Sequence, residues 1–144
     1  MAKPDPLRLL AEDEDDLAVI SAALQDAVAH VGDIAWQKQG RRLTIAFNRY
    51  RWEAAGGARG ERVRSGLQFG SVLDVKSRNL RREPRDAVVE LLALNFEPGE
   101  APGGVIRIAF AGGGDLAVSV ECIDAALADL SSPWPTRRTP AHEG

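Results

Sequence analysis

Cysteine, histidine and tyrosine are scarce in this chain of 144 residues, which carries one Cys, two His and one Tyr. A single thiol, Cys122, excludes an intramolecular disulfide. One cysteine with two histidines does not supply an ordinary four-ligand structural zinc site. No apolar run approaches the ~18 residues of a membrane-spanning helix, and the start Met1-Ala2-Lys3-Pro4-Asp5-Pro6 lacks the apolar region of a secretory signal. These absences point to a soluble, reduced, cytoplasmic protein without metal or cofactor. An overall basic balance is missing too: the net charge is −3 and the pI is about 5.4, which disfavours a nucleic-acid domain. Gly-x-Ser-x-Gly, Walker and His-Glu-x-x-His patterns do not occur.

What is present is enough apolar material for one core, 44% of residues against 27% charged. The charge is unevenly spread. Residues 1–35 hold two basic and eight acidic groups, net −6; residues 36–85 hold thirteen basic and four acidic, net +9; residues 86–144 hold three basic and nine acidic, net −6. Of the 18 basic residues 15 are arginine, the side chain suited to bidentate, partly desolvated anion contacts. The middle third is therefore an anion-facing surface in expectation.

Apolar spacing predicts the elements. Leu17, Ile20, Leu24, Val28 and Val31 recur at steps of three and four, the stripe of a helix capped by Asp13 and stopped by Gly32. The acidic run Glu12–Asp16 then suits the positive end of the helix dipole rather than a metal cluster. From residue 33 the period becomes 2, giving strands at about 33–39, 42–52, 61–69, 71–79, 87–96, 104–111 and 115–121. Stretch 87–96 is apolar on both faces and reads as central. Gly112–Gly114 reads as a hairpin turn between two strands, not a phosphate loop feeding a helix. Ile123, Ala126, Leu127 and Leu130 mark a second helix ended by Pro133, so residues 1–132 form one domain and 133–144 a loose tail with Trp134 as an anchor. The fold class is α+β, with an N-terminal helix, about seven antiparallel strands and a C-terminal capping helix. This order resembles a pleckstrin-homology-like two-sheet barrel; a twisted sheet with both helices on one face is the alternative.

Leu7-Arg8-Leu9-Leu10-Ala11, Asp33-Ile34-Ala35-Trp36, Phe47-Asn48-Arg49-Tyr50-Arg51-Trp52 and Val120-Glu121-Cys122-Ile123-Asp124 together resemble a family of short alphaproteobacterial proteins known only as a domain of unknown function. That resemblance spans nearly the whole chain. It implies a bacterial cytoplasmic origin and no activity or site residues.

The strongest chemical signal is Phe47–Trp52. On a strand Asn48, Tyr50 and Trp52 point one way, while Arg49 and Arg51 share the face of Leu43, Ile45 and Phe47. Arginine is rarely buried unpaired, so the strand is expected to run past the core or to bulge there. Arg62, Arg64, Gln68, Asp74, Lys76 and Arg78 oppose the next apolar row, and Arg78, Arg81, Arg82 and Arg85 gather at a strand end. Cys122 continues the alternation of Val118 and Val120 onto the core face, where a thiol is inert. The sequence thus favours a non-catalytic binding or adaptor domain. Its partner would be an acidic protein segment held by Arg49, Tyr50, Arg51, Arg64, Arg78, Arg81 and Arg82. Alternatives are a homodimer or solvated face in which arginines meet the protein's own acids, a single-stranded nucleic-acid binder stacking bases on Tyr50 or Trp52, and a small enzyme.

Overall fold

The computed structural model describes residues 6–54 and 60–136. In chain order these form β1 (Arg8–Ala11), α1 (Glu14–Ala23), β2 (Val28–His30), β3 (Ile34–Gln37), β4 (Arg42–Tyr50), β5 (Gly60–Phe69), β6 (Val72–Arg78), β7 (Val88–Pro98), β8 (Gly104–Phe110), β9 (Asp115–Val120), β10 (Ala125–Asp129) and β11 (Trp134–Thr136). Short 3-10 turns lie at Val31–Asp33 and Trp52–Ala54.

Period-2 burial is cleanest in β4, where Leu43, Ile45 and Phe47 are fully buried and the residues between them are not. The same alternation runs through β8 and β9 (Ile106, Ile108, Phe110; Leu116, Val118, Val120). Gly112 and Gly113, at φ 91° and 96°, make the turn between them, as their position between two strands predicts. All strand pairs are antiparallel. The order is β1-β10-β5-β4-β2-β7-β8-β9-β6, with β3 also on β4 and β11 also on β5. β7 is central, between β2 and β8. α1 lies against β7 and β1 and adds Leu17 and Ile20 to the core formed by the sheet.

The corner after β5 gives the sheet its shape. Gly70 and Ser71, the latter at φ 55°, redirect the chain so that β6 pairs with β9 instead of returning along β5. The corner is tied down by Gly70 N–H to the Asp124 carbonyl (2.8 Å), Val72 N–H to the Arg41 carbonyl (2.9 Å) and Glu121 N–H to the Ser71 carbonyl (3.0 Å). An Arg41–Glu121 ion pair at 2.8 Å spans the same place.

This architecture corrects the expected fold class. The described residues contain eleven strands and one α-helix in an open sheet, not seven strands closed as a pleckstrin-homology-like barrel with a second helix. The C-terminal capping helix does not form. Residues 125–129 are β10, zipped between β1 and β5 over four and five residue pairs, with Ala125 and Leu127 buried and their neighbours half-exposed. The first helix starts as predicted, Asp13 accepting the Asp16 N–H at 2.8 Å, but ends at Ala23, about two turns early. Asp26 adopts φ 62°, and Val28–His30 leave the helical stripe to pair with Val88–Glu90 of β7. His30 therefore sits on a strand. Cys122 lies beyond the end of β9, half-exposed, and Ile123 takes the core position instead. Trp134 returns along the edge of β5 opposite Arg62 and is 36% exposed.

Candidate functional site

The conflict at Arg49 is resolved by charge rather than by a bulge. Arg49 stays on the buried face of β4 and is fully buried. Its Nη1 and Nη2 reach Glu53 Oε1 and Oε2 at 2.9 and 2.8 Å, a bidentate fork. Its other side meets Asp129 of β10: Nη2 lies 2.9 and 3.0 Å from Oδ1 and Oδ2, and Nε lies 3.1 Å from Oδ1. Ser65 of β5 accepts from Nε at 3.0 Å and donates to Asp129 Oδ1 at 2.7 Å. Asp129 also accepts the Leu7 N–H at 2.8 Å, so the network clasps the N-terminal strand. Burial opposes the charge on Arg49, but hydrogen bonds and attraction from Glu53 and Asp129 outweigh it and raise its pKa above the ordinary value. The same hydrogen bonding from Arg49 holds the Glu53 carboxyl below the usual carboxylate range.

Other arginines of the basic third are engaged internally as well. Arg51, nearly buried, binds Glu61 at 2.6 Å. Arg64 bridges Asn48 Oδ1 (3.2 Å) and Asp33 Oδ2 (3.1 Å). Arg78 meets the buried Asp115 at 2.6 Å, where Arg107 also arrives at 3.2 Å. Tyr50 is 4% exposed and packs edge-on against Trp52, the ring centroids 4.6 Å apart at 64°. Arg49 and Tyr50 are thus both buried in the fold.

Arg81 and Arg82 are placed differently. They lie on the exposed loop 79–87 between β6 and β7, and neither they nor Arg85 has a carboxylate within 4.0 Å among the described residues. The loop is pinned by Gly32 N–H to the Arg85 carbonyl (2.8 Å), Val31 N–H to the Ala87 carbonyl (2.8 Å) and Arg85 Nη2 to the Gly32 carbonyl (3.1 Å). It overhangs a cleft of about 280 Å³. Trp36 and Ile34 of β3 line one side, Val75 and Ser77 of β6 another, with Leu43 and Leu116; Val31, Gly32, Leu80, Arg82 and Arg85 complete the lining. The volume is near the lower end for a binding pocket, and an apolar interior with few polar groups is the usual composition.

The sequence-predicted site residues therefore do not converge. Arg49 and Arg51 gather at one network, Arg64 and Arg78 at separate ion pairs, and Arg81 and Arg82 on the cleft-side loop. The cleft residues Trp36, Leu80 and Leu116 lay outside the expected site. A signal existed for Trp36, an aromatic alternating with Ile34 on a short strand, but its facing wall requires knowing that β6 leaves β5.

Among the described residues no helix is long and apolar enough to cross a membrane. The fold and site together define a small open antiparallel β domain in which five arginines of the basic third are paired with carboxylates of the chain and which carries an arginine-flanked apolar cleft. The chain belongs to the family described as "Protein of unknown function (DUF2948)", whose model matches residues 7–142. No curated protein matches the chain, and no solved structure does.

Proposed function

We propose that this chain is a binding domain, and that it engages an anionic partner, an acidic protein segment, through the arginines of loop 79–87. The observation that carries this reading is what remains after internal pairing. Arg49, Arg51, Arg64 and Arg78 have carboxylates of their own, whereas Arg81, Arg82 and Arg85 share one loop with no carboxylate within 4.0 Å among the described residues, and Arg82 and Arg85 line an apolar cleft. Glu83 and Asp86 share the loop, and both are exposed. Guanidinium forks favour carboxylates, and a charged rim beside an apolar centre is how acidic segments are steered and then held.

The reading is tested by capture from lysate of the source organism, wild type beside Arg81→Glu/Arg82→Glu, at low and moderate salt, with bound protein and nucleic acid both identified. A protein held by the wild type and lost from the variant supports it. Nucleic acid released steeply by salt replaces it with the nucleic-acid reading. Identical eluates overturn it, since exposed charge reversals change stability by under ~0.5 kcal/mol and leave the fold comparable.

A further inference from the structure

The cleft lies between two strand edges. Among the described residues β6 pairs only with β9 and β3 only with β4. Each therefore has a second edge whose backbone N–H and C=O groups are not used by the sheet, except Val72 N–H, which bonds to the Arg41 carbonyl. That bond and the Arg41–Glu121 ion pair close the seam at the start of β6. Towards Ser77, Leu80 and Arg82 the strands part and the cleft fills the gap. The seam is a wedge, shut at one end and open beside the arginine loop.

Side-chain alternation on β6 adds a pattern. Val75 and Ser77 turn toward the cleft, whereas Asp74, Lys76 and Arg78 are exposed on the other face. Lys76 has no carboxylate partner among the described residues. A strand laid along the free edge of β6 would therefore send alternate side chains onto Leu43, Leu116 and Trp36, and the residues between them toward the face of Asp74, Lys76 and Arg78, while Arg82, which donates to Ser77 Oγ at 3.3 Å, stands at the cleft's open end. Cross-strand neighbours of opposite charge favour one another, and like charges disfavour one another.

We propose that the wedge is a strand-addition site for an extended peptide segment in which apolar and acidic residues alternate. Its backbone pairs with the free edge of β6, its apolar side chains enter the cleft, its outward carboxylates face Lys76, and its acidic end meets Arg82 and Arg85 at the open side of the wedge. This rests on the acidic-segment reading above and names how that segment is held. Main-chain hydrogen bonds supply affinity in this mode, and alternate pockets supply specificity.

The probe is a capped, fluorescein-labelled octapeptide alternating glutamate with valine or leucine, followed by fluorescence anisotropy. It is accompanied by two versions with every second backbone amide N-methylated, one for each edge, and by a peptide of the same composition with its glutamates in one block. Expected is saturable binding of the alternating peptide. One N-methylated version should weaken at least tenfold, Lys76→Glu and Arg82→Glu should each weaken binding several-fold, and the blocked peptide should bind no better than the N-methylated one. Equal binding of all four peptides that is lost in Arg82→Glu overturns strand addition and leaves the acidic-segment reading standing. No arginine-dependent binding of any peptide overturns both. Sedimentation of the wild type alone gives the remaining outcome: a dimer dispersed by Lys76→Glu assigns the edge to a second copy and overturns the proposal.

Discussion

Replacing Arg49 with methionine tests the central electrostatic claim of the fold. Methionine keeps much of the volume and apolar stem while removing the guanidinium. Asp129, whose side chain is 4% exposed, would then retain Ser65 Oγ and the Leu7 N–H but lose its counter-charge. Removing one partner of a buried pair costs about 3–5 kcal/mol, because the other charge is left desolvated. Glu53, 37% exposed, adds little to this, since water screens it. Against a domain stability of ~5–15 kcal/mol the loss is large. In urea, with a slope of ~2 kcal/mol/M, the midpoint should fall by roughly 1.5–2.5 M. Tryptophan fluorescence reads the transition, and a constant slope confirms that stability alone has changed. The decisive arm is Asp129→Asn in the Arg49→Met background. The amide still accepts from Leu7 but carries no charge, so the double variant should be more stable than Arg49→Met and the two losses should be strongly non-additive. Losses that add to within about 0.5 kcal/mol would refute the reasoning, as would an Arg49→Met cost below ~1 kcal/mol.

Glu53 makes stability pH-dependent. Its carboxyl is held below its ordinary value in the fold by Arg49, so the unfolded chain takes up the proton more readily. The contribution is complete above about pH 4.5 and disappears as pH falls through the lowered folded value. Glu53→Gln should be less stable than wild type at neutral pH, and the gap should narrow on acidification; a gap independent of pH between 6 and 3 counts against the pairing. Gly32 holds the cleft-side loop by close approach: a Cβ there would lie 3.0 Å from the Arg85 carbonyl oxygen and 3.1 Å from Arg85 Cβ. Gly32→Ala should cost about 1–3 kcal/mol and speed hydrogen exchange at the amides of Val31 and residue 32, which donate to the loop carbonyls of Ala87 and Arg85, while the amides of β8 stay protected. Unchanged exchange at Val31 and residue 32 would show that the loop is not anchored there.

The parts of this structure that are legible in the sequence are those decided within a few residues. Asp13 caps its helix through a bond three residues away, and Gly112–Gly113 turn a hairpin whose strands flank them. The errors arise where distant pairing overrides a local pattern. Val28 continues the helical stripe, yet three residues of β2 find a partner in β7, some sixty residues further on. Ile123, Ala126, Leu127 and Leu130 suit a helix, but Ala125 and Leu127 also alternate, and pairing with β1 and β5 on both edges decides in favour of a strand. At Arg49 the sequence exposes the problem, an arginine in an apolar row, without its solution, because Asp129 lies 80 residues away. The charge of the middle third was equally legible, but not the cleft, since its two walls meet only after β6 abandons β5 for β9.

The net charges of the three segments now have a physical account. Four acids of the flanks supply counter-ions to the basic third. Asp33 from the first segment takes Arg64, and Asp115, Glu121 and Asp129 from the last take Arg78, Arg41 and Arg49. These pairs join strands far apart in sequence, and the burial of Arg49 and Asp129 makes that contact intolerant of loss where exposed pairs are worth little. The loop arginines differ from these in that no flank acid reaches them among the described residues and that Arg82 and Arg85 line the cleft. Since Arg82 and Arg49 share no partner, charge reversal at Arg82 should change binding with little change in stability, and loss of Arg49 should do the opposite. That separation distinguishes a surface kept for a partner from one that merely holds the sheet together.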